Sequence, residues 1–161
     1  MKKYLLNPIT MFFLGLILGL ISRLLDIHTT NLGNIFSGIA IWILFGVLIS
    51  IYSKNKKQAM LNILSFCIGM LITYYFVAFI TNGFYSHIYI IGWTLFALFS
   101  PVFAYFTWIT KEKSILAKFI SIGIILVSLL STIILYDKLR FHDLIINSIM
   151  TFYLFFKKIN R

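Results

Sequence analysis

The chain has 161 residues, of which 61% are hydrophobic and 11% are charged, whereas soluble domains carry charge at about a quarter of their positions. Fourteen Lys and Arg against four Asp and Glu give a net charge of +10, an excess that membrane proteins place on cytoplasmic loops to orient their helices. This composition excludes an ordinary soluble domain and favours the lipid bilayer, not a nucleic acid, as the partner of the basic residues.

Six apolar segments are predicted to span the membrane, because a bilayer core requires about 20 predominantly apolar residues per helix. They lie at residues 9–25, 34–52, 59–80, 88–109, 115–136 and 144–156. The loops between them are too short to form another domain. The predicted fold is therefore all-α, a polytopic bundle of six transmembrane helices in which residues 1–161 form a single integral membrane domain.

The first span follows two lysines, as a secretory signal does, but no small-residue cleavage site follows and further apolar segments continue the chain. We interpret it as an uncleaved helix. It carries Gly15 and Gly19 as a G-x-x-x-G pair, which permits a second helix to approach closely. The second span carries a stripe at steps of four residues, formed by Asn34, Gly38, Trp42, Gly46 and Ser50. Packing inside the bundle is the favoured interpretation, and docking of a partner membrane protein on the glycine stripes stays open.

Polar residues at helical spacing also mark the third and sixth spans. Those of the third are Asn62, Ser65, Gly69 and Thr73, and those of the sixth are Asp143, Asn147 and Thr151. Because an unsatisfied polar group is costly in hydrocarbon, both faces are predicted to point into the bundle or into a wet cavity. Hydrogen bonding between helices is favoured over a ligand site.

The fourth span contains Pro101, which removes one backbone hydrogen bond and obstructs the preceding turn. We expect it to interrupt the helix, and we expect a neighbouring polar group to satisfy the freed carbonyl of Ala97. Near the outer ends of the third and fourth spans lie Tyr74, Tyr75 and Trp93. These rings are typical of the aromatic belt at lipid headgroups, and a stacking site for a ligand is the alternative.

The basic residues predict the orientation. Eleven of the fourteen fall at the two chain ends, in the loops after the second and fourth spans, and in the first turn of the fifth span. Because these positions share one side of a six-span bundle, both termini are predicted to be cytoplasmic in a multi-pass protein of the cell membrane. The three remaining basic residues, all three histidines and three of the four acids then lie on the outer side.

A cluster of charged residues is therefore predicted on the outer side. Arg23 and Asp26 share a face at the end of the first span, and the segment "YDKLRFHD" brings Arg140 and Asp143 to the start of the sixth. If the first and sixth spans are adjacent, these charges converge at the mouth of an outward pocket. A solvated turn is the plainer alternative. The predicted ligand-binding residues are Arg23, Asp26, Tyr74, Tyr75, Trp93, Arg140 and Asp143.

No sequence motif indicates catalysis. The chain lacks G-x-S-x-G, H-E-x-x-H and P-loop patterns, so no catalytic residue, cofactor or metal site is predicted. Cys67 is the only cysteine, which excludes an internal disulfide.

Two resemblances add expectations about the fold. The segments "NIFSGIAIWILFGVLISIYS", "GMLITYYFVAF" and "WTLFALFSPVFAYFTWITKE" resemble a domain-of-unknown-function family of small six-helix bacterial membrane proteins, which implies a fold and a membrane location but no activity. The chain also resembles, more weakly, the S-components of energy-coupling-factor vitamin transporters. That likeness implies an outward pocket lined by the outer aromatic residues, and docking of the transmembrane coupling subunit on Gly15 and Gly19.

Two hypotheses of function follow. In the first, the protein binds or transports a small solute through the outward pocket. In the second, it is a non-catalytic interaction or assembly subunit that docks another membrane protein through its glycine stripes. A membrane enzyme is the least favoured class, because four acids leave little equipment for acid-base chemistry.

Overall fold

The structure is a computed structural model that describes residues 6–81 and 87–159. Lys2, Lys3 and Arg161, which contribute to the predicted orientation, lie outside the described residues, as does the loop at 82–86. All regular structure within the described ranges is helical, as predicted. The elements are α1 (Pro8–His28), α2 (Thr30–Phe36), α3 (Ile39–Tyr52), α4 (Lys56–Ile80), α5 (His87–Ile109), α6 (Ile115–Tyr136), α7 (Phe141–Thr151) and a π-helical turn (Phe152–Phe156).

Polar side chains set the first residues of three long helices. Asn7 precedes Pro8 and accepts a hydrogen bond from the backbone N–H of Thr10, and the Thr10 hydroxyl lies 3.3 Å from the Asn7 nitrogen, which completes a capping box. Asn55 caps α4 and Ser114 caps α6. Each side chain accepts a hydrogen bond from the backbone N–H of the residue three positions later. Each of these three helices therefore begins directly after a capping residue.

Four helices are long and apolar enough to cross a membrane, namely α1, α4, the part of α5 from 90 to 109, and α6. Only 17% to 33% of the most apolar stretch of each is buried inside the protein. Large side chains such as Phe13, Phe76 and Ile134 are more than half exposed. Apolar faces of this extent fit an integral membrane protein in contact with lipid.

The closest helix pair is α1 with α4. A Cβ at Gly15 would lie 2.2 Å from the carbonyl oxygen of Phe66, and one at Gly19 would lie 2.3 Å from that of Met70. From α4, Gly69 makes the reciprocal approach to Phe12. The glycines of the first span thus lie against α4, where only a hydrogen fits between the backbones.

Helix α3 lies at the centre of the bundle, because it contacts α4, α5, α6 and α7. Its Trp42 packs against Phe36, Phe45 and Phe66, and the indole N–H donates to the carbonyl of Phe36 at 2.8 Å. A second apolar cluster joins α3 to α7 through Val47, Ile51 and Met150. The core is therefore built around a short helix instead of a full-length span.

One prediction about a single helix is wrong. The segment predicted as a span at 34–52 is broken: α2 ends at Phe36, and Gly38 is the extended residue that precedes α3. By contrast, α5 continues across Pro101, so the proline does not end the helix, and the kink expected there stays a prediction. The carbonyl of Ala97 accepts a hydrogen bond from the Ser100 hydroxyl at 2.7 Å, which confirms the prediction that a polar side chain satisfies it.

The expected adjacency of the first and sixth spans is also wrong. Within the described ranges, α1 packs mainly against α4 and α2, whereas α7 packs against α3 and α6. The polar face of α7 nevertheless points inward as predicted, since Asp143 and Asn147 are buried. The first and sixth spans therefore do not pack side by side.

Candidate functional site

Arg23 forms the first outer cluster, together with Asp26 and Tyr74. Its Nη1 donates to the Asp26 carboxylate at 2.8 Å, and its guanidinium lies 5.5 Å from the centre of the Tyr74 ring. The Tyr74 hydroxyl lies 3.4 Å from the same carboxylate. Arg23 is buried and its Nε has no hydrogen-bond partner among the described residues. The cluster joins the last turns of α1 and α4.

Arg140 forms the second outer cluster at the start of α7. It makes two hydrogen bonds to the Asp143 carboxylate, at 2.7 and 3.2 Å, and its guanidinium lies 3.6 Å from the centre of the Tyr136 ring. Burial lowers the pKa of Arg140, but the hydrogen bonds and charge of Asp143, with a contribution from Tyr136, hold that pKa above its ordinary value. Asp143 is 1% exposed, so its negative charge depends on Arg140 for compensation.

Arg140 also reaches the break between α2 and α3. Its Nη1 donates to the carbonyl of Asn34 at 3.0 Å, one of the four C-terminal carbonyls of α2 that have no partner within the helix. A Cβ at Gly38 would lie 2.6 Å from Nη2. Gly38 therefore makes room for a cation at the end of a helix, where the macrodipole favours positive charge. Its expected role in a continuous packing stripe is wrong.

The two clusters do not form the single network that the sequence suggested. Each arginine pairs with the carboxylate three residues later on its own helix, and no ion pair between described residues joins α1 to α7. The aromatic residues are divided as well. Tyr75 contacts Tyr74 edge to face at 5.4 Å, whereas Trp93 contacts Phe96 and packs against the core around Trp42.

Buried polar atoms without partners occur on α3 and on the helices around it. The hydroxyls of Ser50 and Ser128 and the amide oxygens of Asn62 and Asn147 make no hydrogen bond to any described residue. These residues lie on α3, α6, α4 and α7, respectively, and each is at most 5% exposed. Helix α3 contacts each of the other three. Helix α3 and the helices around it thus retain buried acceptors that other described groups of the protein do not satisfy.

A cavity of about 480 Å³ lies at the other end of α7. It is bounded by the loop between α5 and α6, the first turns of α6 and the π-helical turn. None of the seven predicted ligand-binding residues lines it. The two ends of the bundle therefore differ: the charges of Arg23 and Arg140 are paired at one end, while the opposite end contains open volume.

The sequence did not single out Ser53 or Lys111, which join helices at this second end. The Ser53 hydroxyl accepts from Asn62, and its carbonyl accepts from the indole of Trp108 at 3.0 Å. The Lys111 ammonium donates to backbone carbonyls of the π-helical turn and of Lys157. A lysine immediately after an apolar span is usually read as an orientation charge, and only the fold shows that it binds a helix end.

Comparisons with known proteins provide no further assignment: the sequence matches no protein-family model, and neither a curated protein nor a solved structure matches the chain. Within the described ranges, no group of three or more His, Cys, Asp or Glu side chains is placed to hold a metal ion. The geometry of the chain itself therefore carries the functional argument.

Proposed function

We propose that the protein is a six-span integral membrane protein of the bacterial cytoplasmic membrane, with both termini cytoplasmic, that binds or transports a small polar solute through the bundle around α3. The orientation is supported by the eleven basic residues that fall on one side of such a bundle. In this topology, α3 and the continuous segment from α7 through the π-helical turn are the second and sixth spans. Both are apolar but shorter than the other four.

The observation that carries this proposal is the set of unsatisfied acceptors around α3. A buried polar group that lacks a partner costs about 1–3 kcal/mol, and the cost is higher in hydrocarbon than beside water. Ser50, Ser128 and Asn147 place such groups on three helices that pack against one another in pairs. An amide oxygen can only accept a hydrogen bond. The solute is therefore a small molecule that bears N–H or O–H donors.

The break at Gly38 supports a route from the outer end. Transporters place substrate sites where membrane helices are discontinuous, because unwound backbone and helix ends offer polar groups at depth. Here the ends of α2 and α3 meet beside Arg140. The buried face of α7 continues from Asp143 to Asn147. This line of polar groups leads from the outer surface toward α3.

The alternative role as an assembly subunit loses two of the glycines on which it was based. Gly15 and Gly19 lie against α4, so a partner helix would have to displace α4 to use them. The same contact removes the docking surface that the resemblance to transporter S-components implies. Among the glycines whose surroundings the structure describes, three have no neighbouring atom within 4 Å of an added Cβ: Gly46 of the predicted second-span stripe, Gly92 and Gly123.

Native mass spectrometry of gently solubilised protein tests the solute proposal. We expect the wild type to retain a small molecule, and we expect Ser128→Ala and Asn147→Leu to lose it while unfolding at the same or a higher temperature, since each removes an unsatisfied group. Ser148→Ala is the matched control, because that hydroxyl is on the exposed face of α7 and bonds to the carbonyl of Leu144. A wild type without any retained molecule, or equal retention in all variants, would contradict the proposal.

A further inference from the structure

The cavity between the α5–α6 loop and the π-helical turn is lined by charged, hydroxyl and apolar groups. Lys113 and Lys118 supply two ammonium groups, Ser114 supplies a hydroxyl at the start of α6, and Leu154 and Phe155 form the apolar wall. Its volume of about 480 Å³ is sufficient for a tetrahedral anion with its substituents. The cavity is therefore large enough for such an anion and has two lysine ammonium groups in its lining.

The charge of this cavity is positive because its one acidic residue is already paired. Glu112 bonds to Lys56 at 3.1 Å, and Lys56 in turn lies over the rings of Tyr105 and Trp108. Neither Lys113 nor Lys118 has an ion pair with a described carboxylate. The positive end of the α6 macrodipole adds to their field.

The apolar wall is held in place by a third lysine. The Lys111 ammonium donates to the carbonyls of Tyr153, Leu154 and Lys157, the last two at 2.9 Å. These are carbonyls at a helix end, which a cation satisfies well. Lys111 is thus a positioning residue that fixes the π-helical turn opposite α6, while Lys113 and Lys118 face the cavity.

We propose that this cavity binds a phosphate group, either the headgroup of an anionic lipid or the phosphate of a soluble molecule. A lysine ammonium is a compact point charge that binds phosphate from a flexible stem. The surface beside the rim is strongly apolar, since Ile115, Phe119 and Phe156 are 73%, 67% and 72% exposed. Acyl chains can lie along these side chains while the headgroup enters the cavity, so the surroundings fit a lipid.

Lipid titration followed by native mass spectrometry tests the site in the full chain. The probes are phosphatidylglycerol, phosphatidylcholine with the same acyl chains, and inorganic phosphate added as a competitor at an ionic strength matched with chloride. The variant Lys113→Gln with Lys118→Gln removes both cavity charges. Lys54→Gln with Lys57→Gln is the matched control, because both are exposed lysines that do not line the cavity.

We expect the cavity variant to bind phosphatidylglycerol about 10- to 30-fold more weakly than the wild type, since each lysine near an anionic headgroup contributes about a factor of five. The control variant and Lys113→Arg with Lys118→Arg should bind within about twofold of the wild type. Thermal unfolding in phosphatidylcholine checks that all variants are folded. If the cavity variant binds phosphatidylglycerol more weakly and inorganic phosphate does not displace this lipid from the wild type, the result supports a lipid site. If inorganic phosphate displaces the lipid, the result supports a soluble phosphorylated ligand. Equal weakening in both double glutamine variants, or no weakening in the cavity variant, overturns the proposal.

Discussion

Gly15 and Gly19 determine how closely the backbones of α1 and α4 approach. At each position an added Cβ would meet a backbone carbonyl oxygen at 2.2 or 2.3 Å. A backbone atom cannot rotate out of the way as the end of a side chain can. Any larger residue at either position therefore moves one helix away from the other along a shared length of the bundle.

Replacement of Gly15 by alanine is expected to lower the free energy of unfolding by about 1–3 kcal/mol, because the helices must separate to admit the methyl group. Gly92→Ala is the control, since an added Cβ there meets open space, and its stability should be unchanged or slightly higher. Thermal unfolding of the two variants in the same detergent measures the difference. Equal unfolding temperatures would show that α1 and α4 can adjust without loss.

Arg140 compensates a carboxylate that is almost completely buried. The variant Arg140→Gln leaves Asp143 with only His142 nearby, whose Nε2 lies 3.8 Å from the carboxylate, and removes one donor to the carbonyl of Asn34. We expect a loss of about 3–5 kcal/mol in unfolding free energy. Lys138→Gln removes the same charge from the exposed turn nearby and should cost less than about 1 kcal/mol. The double variant Arg140→Gln with Asp143→Asn should recover part of the loss. If Arg140→Gln and Lys138→Gln unfold alike, the pair is not structural.

At the scale of the helix, α5 accommodates Pro101 through the residue before it. The proline has no N–H to donate to Ala97, and the Ser100 hydroxyl donates to that carbonyl instead. The serine thus replaces a backbone hydrogen bond within a single turn. This arrangement explains how the helix continues where the sequence suggested an interruption.

A double-mutant cycle measures this replacement. Ser100→Ala should lower the unfolding free energy by about 0.5–1.5 kcal/mol in the wild-type background, because it leaves the carbonyl of Ala97 without a donor. In a Pro101→Ala background the new backbone N–H satisfies that carbonyl, so the same substitution should cost less. If the effects of the two substitutions are additive, the Ser100 hydroxyl does not compensate for the backbone hydrogen bond that Pro101 removes from the carbonyl of Ala97.

The positions of the helices in the sequence could be predicted far better than which helices pack against one another. The span at 115–136 coincides with α6, and the span at 59–80 falls inside α4, which begins earlier because its first turn is polar. The break at Gly38 was missed because Ser and Gly are ordinary residues of membrane helices. The bond from Arg140 to Asn34 joins residues more than 100 positions apart. Such a contact leaves no trace in local hydropathy.

For the candidate site, the sequence predicted which residues share a helix face but not which helices meet. Periodicity placed Asp143 and Asn147 on one face, and the burial of both confirms that this face points inward. The order in which helices surround one another does not follow from periodicity, and the first and sixth spans were therefore paired incorrectly. Ser53, Lys56 and Lys111 were missed because their partners are carbonyls, rings or distant side chains that only the assembled bundle brings near.

At the scale of the whole molecule, the proposed topology places the turn at Lys138 outside and the loop at Lys54 inside. In a Cys67→Ser background, a cysteine at Lys138 should react with an impermeant thiol reagent in intact cells, because that side chain is exposed. A cysteine at Lys54, which is also exposed, should react only after the cells are opened. Labelling of the Lys54 position from outside would exclude an arrangement with cytoplasmic termini.

The short central helix has a consequence for the membrane itself. Fourteen residues of α3 measure about 21 Å along the axis, and the sixteen residues from Phe141 to Phe156 measure about 24 Å, against a hydrocarbon core of about 30 Å. Neighbouring helices surround α3, but α7 has a lipid-facing side on which Leu144 and Phe152 are about half exposed. In the proposed six-span topology, the bilayer on that side must become thinner to meet the ends of the helix. The protein should therefore concentrate in thin membranes, and its stability should fall as the acyl chains of the host lipid lengthen.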